Sequence, residues 1–187
     1  GKARYGADIR LPGLLYARTL QSPHAHARIR AIDASKALAL PGVRAVVTSA
    51  DLAPLPPDDA SFGFTLSNVL ARDKALYKGH PIAAVCATSV HIAEEALDLI
   101  DVDYEVLPAV FTAEEAMEEG APVLHEHLPA HSPVTGDTPS KNVANRSEMV
   151  LGDFAQGFAE AEIVVERETT TVPVHQGYIE PHSATGW

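Results

Sequence analysis

One cysteine, one tryptophan and two methionines occur in 187 residues, and lysine plus arginine number only 14 against 25 aspartates and glutamates. The single thiol, Cys86, excludes an intrachain disulfide, and this chain by itself cannot supply a cysteine-ligated iron–sulfur cluster or structural zinc. Its neighbours Ala84, Val85 and Ala87 predict a buried, inert side chain rather than an activated nucleophile. A formal charge of −11 repels phosphate backbones and leaves no basic stripe, so nucleic acid is not an expected partner. No apolar run is long enough to span a bilayer, since the longest, residues 82–87, is strand-length, and no basic segment leads into an apolar one at the N-terminus. The expectation is a soluble, cytoplasmic protein with no membrane insertion, although so few cysteines are equally compatible with a periplasm. Glycine-rich phosphate loops, GxSxG, HExxH and CxxC are all missing, which leaves dinucleotide binding, serine hydrolysis and self-contained metalloprotease chemistry without a motif.

What is present reads as mixed α and β structure of the α+β class. Residues 11–33, LPGLLYARTLQSPHAHARIRAID, hold two strand-like runs joined by a polar bend over Gln21 to His26, a spacing that predicts two paired strands with a wide turn. A two-turn helix follows over 34–40, with Asp33 placed to cap it and Pro41-Gly42 to stop it. VRAVVT at 43–48 predicts a short strand, and Pro54, Pro56, Pro57, Asp58 and Asp59 a surface loop. Residues 82–87 predict a strand buried on both faces. In 89–100 the apolar positions 92, 93, 96, 97 and 100 share one helical face behind the N-cap Ser89. Val102 to Leu107 alternates as a strand, and strand, helix, strand over 82–107 is long enough for a parallel crossover. Thr112 to Glu119, closed by Gly120, predicts a helix whose glutamates 114, 115, 118 and 119 form a solvated face.

From Glu126 the texture becomes proline- and hydroxyl-rich, which marks a linker. Beyond it, residues 147–151 and 163–173 predict strands. Between them lies a helix over 154–161, with Asp153 as N-cap and Phe154, Ala155, Phe158 and Ala161 facing inward. Some 40 residues cannot bury a core of their own without staples, so this second domain is expected to be incomplete. The division expected is residues 1–125, a linker at 126–144, and the start of a second domain at 145–187.

Three groups of residues carry candidate chemistry. His24 and His26 have no carboxylate or cysteine close in sequence and read as turn and packing residues. His125 and His127 flank Glu126, with His131 nearby, and ligands on a linker lack the supporting shell that holds a metal, so no metal site is assigned. His175, Gln176, Tyr178, Glu180 and His182 form the densest polar set. Continued strand alternation would place the last four on one side. A general acid/base role for Glu180 is outweighed by a buried, hydrogen-bonded carboxylate at a domain contact, so the five are assigned as domain-contact residues with no catalytic role.

In order, PGLLYARTLQSPHAHARIRAID, ALPGVRAVVTSADL, YKGHPIAAVCATSVHIAEEALDLIDVDYEVLPAV, GAPVLHE, GDFAQGFAEAEIVVE and HQGYIEPHSA resemble the xanthine dehydrogenase and aldehyde oxidase family of molybdenum hydroxylases. The resemblance implies an α/β hammerhead domain of the large, molybdopterin-binding subunit, followed by the truncated start of its first molybdenum-cofactor-binding domain. It implies a parent oxidoreductase that hydroxylates aldehydes, purines or aromatic heterocycles with water as oxygen source. Molybdopterin is implied for the complete enzyme and not for this chain alone, with iron–sulfur clusters, and FAD where present, on partner domains or subunits. The expected partners are the remainder of the molybdopterin-binding subunit and those redox components. The family's glycine-rich cofactor phrase and late catalytic glutamate are not found in these residues, so neither a catalytic nor a cofactor-binding residue is assigned. In HQGYIEPH, Val174, His175 and Gln176 depart from the family's Gln-Glu-His phrase, while Tyr178, Ile179 and Glu180 keep its second half. The alternative from another class is a non-catalytic interaction or assembly module with a hammerhead fold.

Overall fold

A computed structural model describes residues 2–54, 60–126, 142–143, 149–180 and 182–186. It divides into two units, residues 13–147 and residues 1–12 with 148–187.

The described residues of the larger unit contain six strands, β1 (Tyr16–Gln21), β2 (Ala27–Asp33), β3 (Val43–Thr48), β4 (Lys74–Ala75), β5 (Pro81–Ala87) and β6 (Asp101–Val106), and four α-helices, α1 (Ser35–Ala39), α2 (Ala60–Val69), α3 (Val90–Leu97) and α4 (Ala113–Met117). The strands form two three-stranded sheets, ordered β1-β5-β3 and β4-β2-β6. Every pairing is antiparallel.

This arrangement corrects two expectations. β1 and β2 do not pair, because the bend between them is tied elsewhere. The Ser22 amide donates to the His80 carbonyl at 2.9 Å, the Gly79 amide to the Ser22 carbonyl at 2.8 Å, and the Leu107 amide to the His26 carbonyl at 3.0 Å. The bend therefore carries the chain from one sheet to the other instead of closing a hairpin. Nor do β5 and β6 form a parallel pair. Both edges of β5 are taken, by β1 and β3, so the chain leaving α3 joins the second sheet beside β2. The connection is long enough for a parallel crossover, but no edge is free to receive it.

β5 is central because its small and branched residues tolerate close neighbours. Ala83, Val85 and Ala87 are buried with Ala37, Ala93, Ala96 and Ile100, and Leu20, Val43, Val46 and Ile92 pack around them. Alanines at 93 and 96 let α3 approach the sheet closely, where bulkier residues would overpack the core. Ile82 belongs to a second cluster with Ala71 and Ala75, against Ile29, Ile32, Val102 and Tyr104 of the other sheet. Cys86, expected to be buried, is only half-buried. It lies opposite Ala17 and Ala45, on the strand face that alternates away from Val85.

Ser89 caps α3 as expected and Thr112 caps α4 without having been singled out, whereas the N-cap of α1 is Ala34, with no side-chain cap bond, and Asp33 stands one position before it. Ser89 Oγ accepts the Ile92 amide at 3.2 Å, and Thr112 Oγ1 accepts the Glu115 amide at 3.1 Å, each satisfying a first-turn donor. The Asp33 carboxylate accepts the Ser35 amide at 2.9 Å, and that bond, with a lesser contribution from Lys36, holds its carboxyl below the usual range. α2 was not anticipated from the sequence: Gly63 lies mid-helix and lowers its intrinsic propensity. Of the proline-acid loop, Pro54 is exposed, and Pro56, Pro57, Asp58 and Asp59 lie outside the described residues.

In the smaller unit α5 (Phe154–Glu160) is capped as expected, with Asp153 Oδ1 accepting the Gln156 amide at 2.9 Å. Its aromatic face is not inward. Phe154 and Phe158 meet at 4.5 Å with their planes tilted by 37° but are 71% and 47% exposed. Strands were expected at 147–151 and 163–173; residues 147–148 lie outside the described residues, and 149–151 and 163–173 are in no ladder. β-branched composition favours extended backbone, yet a strand exists only with a hydrogen-bonded neighbour, and the described residues supply none.

Candidate functional site

The five residues assigned to a domain contact do not form one strand face. Gly177 adopts φ +67° and turns the backbone, and its amide donates to His175 Nδ1 at 2.9 Å. The turn brings three rings together: His175 and Tyr178 lie 5.2 Å apart, and Tyr178 and His182 stack at 4.9 Å with planes 12° apart. Gln176 and Glu180 stay outside this ladder. All five are exposed, Glu180 included, so its carboxylate is not buried within the described residues.

A second polar cluster lies in the larger unit. His24 packs edge-on against Tyr104 at 5.0 Å, and burial raises the Tyr104 phenol above its ordinary range, an effect partly opposed by a hydrogen bond with Ser22. His26 is buried, with Nδ1 2.6 Å from the Pro108 carbonyl oxygen. A carbonyl can only accept, so Nδ1 carries the proton, and Nε2 is buried with no partner among the described residues. Both histidines thus shape and pack the bend, as their sequence context predicts.

Nothing in the sequence singles out His80, a lone histidine just before the apolar run at 82–87. It is fully buried and stacks on Tyr77 at 4.5 Å. Nδ1 accepts the Leu76 amide at 3.2 Å, so Nε2 must carry the proton that bonds the Ser67 carbonyl at 3.0 Å. Burial lowers its pKa, the Ser67 hydrogen bond opposes that, and the charge on nearby His125 adds to the lowering. His125 lies 5.8 Å from Phe64, and burial, then Lys74, lowers its pKa as well. His127 and His131 lie outside the described residues.

Lys74 Nζ donates to the Val123 carbonyl at 3.1 Å and to Glu126 at 2.9 Å, with only 9% of its side chain exposed. Among the described residues no three His, Cys, Asp or Glu side chains come together as a metal site. They offer no donor set that fits molybdenum, so no chemical step through the cofactor is assigned to them. The clustered groups can hold segments together and respond to protons. Among the described residues no helix is long and apolar enough to cross a membrane.

Residues 1–108 match the family model for the aldehyde oxidase and xanthine dehydrogenase a/b hammerhead domain. The carbon monoxide dehydrogenase large chain of Afipia carboxidovorans is 39% identical over 96% of this chain and 23% of its own length. The nicotinate dehydrogenase large molybdopterin subunit of Eubacterium barkeri is 34% identical over 100% of this chain and 40% of its own. A crystal structure of a Cu,Mo-CO dehydrogenase in its carbon monoxide reduced state superimposes with a TM-score of 0.70 at 38% identity, over 87% of this chain and 21% of that one. The chain thus spans well under half the length of these relatives. By its matching domain, its fold and these similarities, the chain belongs to the aldehyde oxidase and xanthine dehydrogenase family.

Proposed function

We propose that this chain is the N-terminal scaffold portion of a molybdenum hydroxylase large subunit, contributing structure and interface to a parent enzyme that oxidatively hydroxylates aldehydes, purines or aromatic heterocycles with water. The observation that carries the reading is the uncovered apolar surface of the smaller unit. Met149, Leu151 and Ile179 are 96%, 99% and 101% exposed, in a family whose members here are several times longer. Large apolar side chains left in water lose roughly 1.5–3 kcal/mol each relative to burial, which favours their being covered by the remainder of the subunit.

In this reading residues 1–125 are the hammerhead domain, 126–144 connect it, and 145–187 begin the first molybdopterin-binding domain. His175, Gln176, Tyr178, Glu180 and His182 lie at the contact between that beginning and what completes it. Molybdopterin is held by the rest of the subunit and supplies the oxidation chemistry there, and iron–sulfur clusters, with FAD where present, lie on partner domains or subunits. The setting is cytoplasmic. The test is hydrogen exchange over 149–180 in this chain and in the same chain continued by the rest of a family large subunit. Strong protection in the longer protein supports the reading, and equally fast exchange in both contradicts it.

A further inference from the structure

The amide of Asn142 joins three backbone positions that are distant from it in sequence. Its Oδ1 accepts the Leu124 amide at 3.0 Å, and its Nδ2 donates to the carbonyls of Ala116 and Pro122, each at 3.0 Å. Both Nδ2 protons are thereby used on backbone acceptors, and the residue is half-buried. The Ala116 carbonyl lies in the last turn of α4, so the Asn142 amide reaches that helix end from outside the helix. Beside it, Lys74 of β4 holds the Val123 carbonyl and Glu126. The start of the connection and its return are therefore pinned at adjoining positions.

We infer that Asn142 is a positioning residue that ties the far end of the connection at 126–144 back onto α4 and residues 122–124. Closing a loop between residues 18 apart in sequence costs chain entropy. A flexible tether has nothing to offset that cost, whereas one side chain making three hydrogen bonds to backbone does. Asn142 thereby sets the point from which the chain continues toward the second domain.

Hydrogen exchange at the Leu124 amide tests it in the full chain, because that amide donates to Asn142 Oδ1. In Asn142→Ala, Leu124 exchange is expected to accelerate roughly tenfold or more, while the amides of β5 keep their protection. A second variant retains Asn142 and replaces residues 128–140 by a glycine-serine stretch, and Leu124 is expected to stay protected. Unchanged Leu124 exchange in Asn142→Ala would overturn the inference, as would acceleration shared equally by β5. Loss of Leu124 protection in the loop-replaced variant would overturn it too, by placing the anchor in the replaced residues.

Discussion

Gly42 and Ile92 meet with no room for a side chain between them. A β-carbon on Gly42 would stand 2.7 Å from Ile92 Cδ1 and 2.9 Å from Thr88 Oγ1, and the backbone there has φ +100°. The Gly42 carbonyl also accepts the Thr88 amide at 2.9 Å, which fixes the turn before β3 against the start of α3. Gly42→Ala combines backbone strain of about 1–3 kcal/mol with overpacking of about 1–3 kcal/mol. Gly120→Ala, at φ +85° with nothing within 4 Å, carries the strain alone. Denaturant unfolding of the two variants is expected to show the larger loss at Gly42, and equal losses would contradict the packing described.

His80 predicts how stability depends on pH. Its Nδ1 accepts a backbone amide, so protonation there sets a donor against a donor in a buried site. Its pKa in the folded state lies below the ordinary 6.5, and that of His125 is lowered also. The unfolded chain therefore binds more protons as pH falls, and the stabilisation, fully present above about pH 6.5, is lost as pH drops through the folded-state values. Urea midpoints measured from pH 7.5 to 5 should decline below about 6.5, with a shallower decline in His80→Gln. A flat profile in the unsubstituted protein would exclude this account of His80.

Two lysine ion pairs are expected to differ. Lys74 reaches Glu126 and the Val123 carbonyl from a nearly covered position, so Lys74→Met should cost about 1–3 kcal/mol by removing hydrogen bonds to a charged, covered group. Lys36 and Asp101 face solvent, with 65% and 67% of their side chains exposed. Asp101 raises the Lys36 pKa, but solvent screening leaves such a pair with little net effect. Lys36→Met should leave the thermal midpoint unchanged while Lys74→Met lowers it. The opposite order would refute the burial-based distinction.

Local rules made most of the larger unit readable from sequence. Ser89 and Asp153 cap the helices they were expected to cap, because an N-cap depends on residues three positions apart. The apolar spacing at 92, 93, 96 and 97 located α3 for the same reason. Pairing was harder to read, since whether β5 has a free edge depends on strands some 35–70 residues away, and no local pattern records that β1 and β3 occupy both. His80, Lys74 and Asn142 escaped notice because each acts on backbone groups of other segments. Their only sequence signals were single polar residues in YKGHP, RDKAL and SKNVA. In the smaller unit the β-branched run at 163–173 was recognisable, but a ladder needs a partner that these residues do not provide.

The central claim, that this chain supplies scaffold to a molybdenum hydroxylase while the chemistry resides in the rest of the enzyme, is tested most directly by one paired measurement on the purified chain. Molybdenum and pterin content are determined together with aldehyde-dependent dye reduction, after expression in a host that makes the cofactor. The account predicts substoichiometric molybdenum and no turnover. Stoichiometric cofactor, or substrate-dependent reduction by these residues alone, would contradict it.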